Sequence, residues 1–292
     1  MADLSLRAKV AGFLRKAAVA LASAILFWTL VIMLFEEKFI FFPSAYPAGP
    51  YDELRFIPNH REVEFITTDG LRLHGVYVPA DSAVATILFS HGNAGNLSHR
   101  VHWMRAMAPL RANIFLYDYR GYGKSEGTPD ETGVYLDAVA AYDHLKRSLG
   151  TQGTPVVLWG RSLGGAVSVE LATKRRADAL ILESTFTSAK DMASEVYPIL
   201  PFIGSLVRTE FDSESKLRRL PLPSLHIHGN EDEIVPISLG RKLFDAALGP
   251  KEFYSIEGAG HYDAYIIGGS TYIKKVRTFL RSLSGRTHPG SD

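Results

Sequence analysis

The stretch Gly160-Arg161-Ser162-Leu163-Gly164 constrains this chain more than any other. An apolar run, Pro155-Val156-Val157-Leu158-Trp159, leads into it. A small-residue run with helix-forming composition, residues 165–172, leads out. The G-x-S-x-G pattern therefore falls between a predicted buried strand and a predicted helix, the setting that a nucleophile elbow needs. Small residues two positions either side of the serine let strand and helix close on the turn, where larger side chains would collide. The turn pushes the Ser162 hydroxyl out beyond the carboxyl end of the strand. The unpaired N–H groups of the following helix point back at it.

The chain from about residue 61 follows the strand–helix alternation that such a turn implies. Residues 62–67 and 71–78 alternate apolar and polar side chains about Thr68-Asp69-Gly70, as a half-exposed hairpin does. Residues 84–90 form a continuous apolar run, which predicts a buried parallel strand. Further strands are predicted at 113–117, 155–159, 179–182, 223–227 and 252–256. Helices are predicted at 97–110, 130–149, 164–176, around Phe244, and at 272–283. An antiparallel start followed by this alternation predicts an α/β fold, an open, mostly parallel sheet with helices on both faces. In such sheets a site forms beyond the carboxyl ends of the strands.

A serine hydroxyl is a poor nucleophile until a base takes its proton, and the base needs an orienting partner. Two loops at predicted strand ends carry these groups. One is His228-Gly229-Asn230-Glu231-Asp232-Glu233-Ile234-Val235-Pro236; the next is Glu257-Gly258-Ala259-Gly260-His261. The order serine, acid, histidine belongs to the triad built on an open α/β sheet. His261, on a loop loosened by Gly258 and Gly260, is the expected general base. Asp232 is the expected acid, preferred over Glu231 and Glu233 because a short side chain suits a fixed hydrogen bond to imidazole. Glu183, at another strand end, is the alternate acid, and His226 and His228 read as packing or loop residues. The oxyanion hole is expected from the backbone N–H of Leu163 and that of Asn93, in the glycine-rich loop His91-Gly92-Asn93-Ala94-Gly95-Asn96. Asp118 and Arg120 are expected to pair within a structural loop. Arg161 reads as a packing or salt-bridge residue, with contact to an anionic substrate as the other reading. The apolar, proline-broken stretch 186–211 reads as a small cap lining an acyl pocket.

No charge stands between Lys16 and Glu36. Residues 17–35 would span about 28 Å as a helix, close to the hydrocarbon core of a bilayer. The run ends in Phe35-Glu36-Glu37-Lys38-Phe39, which offers no small-residue cleavage site, so residues 1–38 read as a short tail and an uncleaved transmembrane signal anchor. Arg7, Lys9, Arg15 and Lys16 precede the span and only Lys38 closely follows it. That bias predicts a cytoplasmic N-terminus and a catalytic domain on the extracytoplasmic side. Residues 39–60 read as a linker whose apolar start rests at the membrane surface. Residues 61–284 read as the hydrolase domain, with 186–211 its cap, and 285–292 as a tail. A net charge of +1 gives no case for nucleic acid. The absence of cysteine excludes disulfides, thiolate zinc sites and a Cys nucleophile. The chemistry sketched here needs no metal and no cofactor.

Taken together, several segments carry a family resemblance. They are Phe41-Phe42-Pro43, Ser90-His91-Gly92-Asn93-Ala94-Gly95-Asn96, Asp118-Tyr119-Arg120-Gly121-Tyr122-Gly123, Gly160-Arg161-Ser162-Leu163-Gly164-Gly165, Gly229-Asn230-Glu231-Asp232 and Gly260-His261. On these the chain resembles the α/β-hydrolase superfamily, in particular the membrane-anchored branch related to yeast and plant Bem46 proteins and to the ABHD group. The resemblance implies Ser162 as nucleophile, Asp232 as acid and His261 as base. It also implies substrates among esters, lysophospholipids, acylglycerols and protein thioesters. The relatives that remove palmitate from cytoplasmic proteins are anchored by a Cys-rich N-terminus, which this chain lacks. The expected activity is cleavage of carboxylic esters of acyl lipids or lysophospholipids by a membrane-anchored serine hydrolase. An acyl-protein thioesterase, an aminopeptidase-like hydrolase and a non-catalytic membrane-tethered scaffold are the alternatives.

Overall fold

The computed structural model describes residues 2–47, 52–149, 153–196 and 203–283. The expected tail at 285–292, part of the expected linker (48–51) and the middle of the expected cap (197–202) lie outside the described residues. The chain opens with helix α1, Ala2–Ile40, whose backbone leaves helical geometry at Phe35 (φ −122°, ψ 19°). Within it, Val10–Val31 has a mean hydropathy of 1.7 and is long and apolar enough to cross a membrane. None of that span is buried within the protein. A short strand β1, Phe42–Pro43, follows at once.

Strands β2, Arg61–Ile66, and β3, Arg72–Val78, form the expected hairpin, in register from Arg61↔Tyr77 to Ile66↔Arg72. Gly70 sits at φ +90°, a conformation its turn requires and side chains resist. The other strands are β4 Thr86–Ser90, β5 Ala94–Gly95, β6 Asn113–Tyr117, β7 Val156–Arg161, β8 Ala179–Glu183, β9 Ser224–Gly229 and β10 Lys251–Ile256. The helices after α1 are α2 Val101–Met107, α3 Glu131–Ser148, α4 Leu163–Lys174, α5 Ala189–Val196, α6 Ile203–Leu206, α7 Ser213–Leu217, α8 Ile237–Ala246 and α9 Ala264–Leu283. Among the described residues, eight strands make one sheet in the order β10-β9-β8-β7-β4-β6-β3-β2. β3 runs antiparallel to β2 and β6; every other pairing in the sheet is parallel. This is the α/β architecture that the alternation predicts.

The strand pattern explains the two layers. In β4, Leu88 packs into one core with Val134 of α3 and Leu163 of α4. Its neighbours Ile87 and Phe89 face the other way, into a second core with Trp103 of α2 and Tyr272 of α9. Phe89 meets Trp103 at a tilt and Trp103 meets Trp159 edge-on, with ring centroids 4.0 Å and 5.1 Å apart. The central strands are covered on both faces, which is why they read as unbroken apolar runs. α9 begins at Ala264, ahead of the predicted 272, but its backbone breaks at Gly269 (φ 48°, ψ −130°). The helical spacing in the sequence becomes continuous only after that break.

Candidate active site

Ser162 stands between β7 and α4 at φ 54°, ψ −123°. That backbone is strained for any residue but glycine, at a cost of roughly 1–3 kcal/mol. The glycines around it are there because nothing larger fits. A Cβ on Gly160 would strike the carbonyl of Gly164, one on Gly164 the carbonyl of Ser90, and one on Gly165 the hydroxyl of Thr185. The strained turn is tied down on both sides: Ser162 N–H donates to Glu183 O at 2.9 Å, and Thr185 Oγ1 donates to Ser162 O at 2.7 Å. Among the described residues, no hydrogen bond is made by the Ser162 hydroxyl itself, which faces open cavity. Bonds from a catalytic hydroxyl commonly tighten only when substrate is bound.

β9 and β10 are parallel neighbours, so the loops beyond them leave the sheet side by side. Glu231 N–H donates to Ala259 O at 3.0 Å and Gly258 N–H to Asn230 Oδ1 at 2.7 Å, which locks one loop to the other. The lock brings His261 Nδ1 to 2.8 Å and 3.0 Å from the two carboxylate oxygens of Asp232, with both side chains buried. Asp232 also accepts the N–H groups of Ile234 (3.0 Å) and Val235 (2.8 Å). Burial pushes this carboxyl up, but hydrogen bonds from His228, His261 and the Val235 N–H outweigh it and hold Asp232 well below the usual carboxylate range. Glu231 and Glu233 are exposed. Glu183, the alternate acid, is fully buried and accepts from Trp159 Nε1 (3.1 Å) and Tyr272 OH (2.9 Å) instead of facing His261. His228 does more than the packing expected of it. Its Nε2 donates to Val235 O at 2.9 Å and lies 3.3 Å from Asp232 Oδ2. Its place four residues before the acid, at the end of the same strand, was the available signal.

Asn93 and Leu163, the expected oxyanion donors, line the same cavity as Ser162. A Cβ on Gly92 would sit 3.4 Å from the Ser162 Cβ, so this loop runs directly against the serine. Its carbonyls are pulled to the outside. Tyr119 OH donates to His91 O (2.8 Å), Tyr122 OH and Phe42 N–H to Asn93 O (2.6 and 2.9 Å), and Ser44 N–H to Gly95 O (3.2 Å). β1 pairs in parallel with β5, and Asn93 Nδ2 reaches back to Ile40 O at 2.9 Å. The segment expected to rest at the membrane surface is thus a strap across the loop, with Phe41 buried in the core. The backbone groups of β5 need partners, and this strap supplies them. Asn96, a formal glycosylation acceptor, is fully buried and donates to Ser44 O and Ala45 O.

The expected Asp118–Arg120 pair does not form. Asp118 accepts the N–H of Leu97 (2.7 Å), and Arg120 forks onto Asp137 of α3 (2.8 and 3.0 Å) and Asp69 (2.9 Å). Asp137 is fully buried, and a buried carboxylate without a cation is far costlier than an alternative partner for Asp118.

Two cavities meet at Ser162. One, of about 450 Å³, is apolar and bounded by Phe186, Met192, Val196 and Phe211 on one side and by Phe39 and Ile40 at the end of α1 on the other. Glu36, buried in that last stretch of α1, accepts the N–H groups of Arg208 (3.1 Å) and Thr209 (2.8 Å). The other cavity, of about 280 Å³, is bounded by the loop at 92–95, His261, Arg100, Arg161 and Tyr262. Among the described residues, no group of three or more His, Asp or Glu side chains is arranged to hold a metal ion.

The family described as serine aminopeptidase, S33, matches residues 81–212. Protein bem46 of Schizosaccharomyces pombe is 35% identical over 257 residues, covering 84% of this chain and 85% of that protein. The α/β-hydrolase domain-containing protein WAV2 of Arabidopsis thaliana is 35% identical over 281 residues, covering 87% and 90%. Among solved structures, the esterase Pf2001 of Pyrococcus furiosus superposes with a TM-score of 0.69 at 18% identity, over 84% of this chain and 99% of that one, a likeness of fold.

Proposed function

The chain belongs to the Bem46-like α/β-hydrolases, a family of serine hydrolases, and from that premise we propose that it cleaves carboxylic esters of acyl lipids by a Ser162–His261–Asp232 mechanism. The observation that carries this reading is the buried His261–Asp232 pair opening onto the same cavity as a serine held at positive φ. In the first half-reaction His261 Nε2 takes the Ser162 proton while Oγ bonds to the substrate carbonyl carbon. The C–O bond to the alcohol then breaks, and His261 returns the proton to the departing oxygen. Water, activated by the same imidazole, attacks the acyl-serine and releases the carboxylic acid. Asp232 keeps Nδ1 protonated and Nε2 facing the cavity. The N–H groups of Asn93 and Leu163 hold the oxyanion, a contribution of about 3–4 kcal/mol per donor.

The acyl chain belongs in the apolar cavity, because its walls are hydrocarbon and one of them is the end of α1. The span Val10–Val31 then serves as the anchor, with the N-terminus cytoplasmic and the hydrolase domain across the membrane. Protease added outside oriented vesicles should digest the domain; digestion only from the cytoplasmic face would reverse that topology. The chemistry is tested by fluorophosphonate labelling and by turnover across acyl chain lengths, with matched amides alongside. Wild-type protein should label and favour esters, and Ser162→Ala should lose labelling and turnover. Equal labelling of the two proteins would remove Ser162 from the mechanism, and faster amide cleavage would move the substrate class to peptides.

A further inference from the structure

The second cavity at Ser162 carries charge that the ester chemistry does not use. His261 borders this cavity and not the apolar one. The group that protonates the departing alcohol must stand on the leaving-group side, so the smaller cavity receives the alcohol. Two guanidinium groups, Arg100 and Arg161, also border it. Arg161 is buried, gives Nη2 to His261 O at 2.9 Å, and meets its nearest carboxylate, Glu183, only at 3.9 Å. Arg100 gives Nη2 to the Ala94 carbonyl, and among the described residues no carboxylate lies within ion-pairing distance of it. Burial, and then repulsion from Arg161, hold the Arg100 guanidinium below its ordinary value. Asp118, behind the loop, accepts the Leu97 N–H at Oδ1 and faces His91 at 3.3 Å; its buried Oδ2 has no hydrogen-bond partner among the described residues, and its charge partly offsets that of Arg100 from a distance. Among the described residues, no carboxylate lines the cavity itself. Two arginines bordering one small cavity, one with no carboxylate partner among the described residues and the other with a single long ion pair to Glu183, suit a phosphate group, since each presents a planar fork that matches phosphate oxygens.

We propose that this cavity is a leaving-group subsite for acyl esters whose alcohol carries a phosphate, with Arg100 and Arg161 as its specificity-determining residues. The proposal rests on Ser162 being the nucleophile of an ester hydrolase. Hydrolysis of such an ester consumes one water and releases a fatty acid and an intact phosphate-bearing alcohol, with the phosphate untouched. The full chain in mixed micelles is compared on 1-oleoyl-glycerol 3-phosphate and 1-oleoyl-glycerol. A kcat/KM ratio of tenfold or more in favour of the phosphate is expected. Arg100→Gln should pull that ratio toward unity, and Arg100→Lys should restore part of it. A wild-type ratio at or below one overturns the proposal, as does a ratio unmoved in Arg100→Gln.

A second measurement stands apart from catalysis and from the folding of any variant. Glycerol 3-phosphate at millimolar concentration should raise the wild-type Tm, and raise it more than inorganic phosphate does. No rise overturns the subsite. A rise equal for inorganic phosphate, together with a ratio of one, shows a site for free phosphate and overturns the substrate assignment. If neither ester is turned over, the hydrolase reading has failed, and the Tm shift by itself decides the anion site.

Discussion

Asp232 is held by two imidazoles and two backbone N–H groups, more partners than an orienting acid strictly needs. Asp232→Asn should lower kcat by roughly 10⁴-fold, because an amide stabilises the wrong imidazole tautomer; stopped assays at saturating substrate measure this. The same contacts link stability to pH. The folded-state value of Asp232 lies below its unfolded value of about 3.9, so its contribution is present above that pH and is lost as pH falls beneath it. Urea midpoints at pH 6 and pH 3 should therefore differ more for wild type than for Asp232→Asn. The glycines of the elbow face a steric limit instead. Gly164→Ala drives a methyl into the Ser90 carbonyl and should cost about 3 kcal/mol, seen as a lower urea midpoint. That Asp232 and His261 meet beside Ser162 could be read from spacing, because serine, acid and histidine follow one order at the ends of the strands of such a sheet. For His228 the sequence offers only its place at a strand end four residues before Asp232, which does not say that the ring turns toward the carboxylate.

At the scale of elements, the strands and their order were readable because each central strand is apolar on both faces and each crossover has a helical run. β1 was not. It is two residues long and its partner β5 is equally short, so neither has a period to detect, and about fifty residues separate them. Yet this pairing, with Tyr119 and Tyr122 behind it, fixes the carbonyls of the loop that bears the Asn93 N–H. Phe42→Pro deletes one donor to Asn93 O and should lower kcat about tenfold with little change in KM, a fraction of what losing an oxyanion donor costs. The protein should still pellet with membranes, which separates a strap effect from loss of anchoring. Tyr122→Phe removes the other donor and should show the same kinetic split with a stability loss near 1 kcal/mol.

The whole molecule joins a membrane-length helix to a catalytic sheet through contacts rather than through a free tether. Glu36 takes two backbone N–H groups from the segment that closes the apolar cavity, and burial of the carboxylate is outweighed by its Thr209 and Arg208 partners, so it stays ionised. Glu36→Ala should loosen that wall and flatten the acyl-length profile, with KM for long chains rising several-fold. Composition foretold an apolar helix long enough to cross a membrane ahead of an α/β fold, because charge-free length and strand alternation are both written locally. How the two dock was hidden, since it rests on single side chains such as Glu36 and Phe41 meeting residues more than fifty positions away. That docking has a practical consequence. Trimming the first forty-odd residues to obtain a water-soluble preparation would also strip a side from the apolar cavity and two donors from the loop beside Ser162. Such a shortened protein should fold and yet work slowly, whereas the intact chain carried in detergent should keep its full rate.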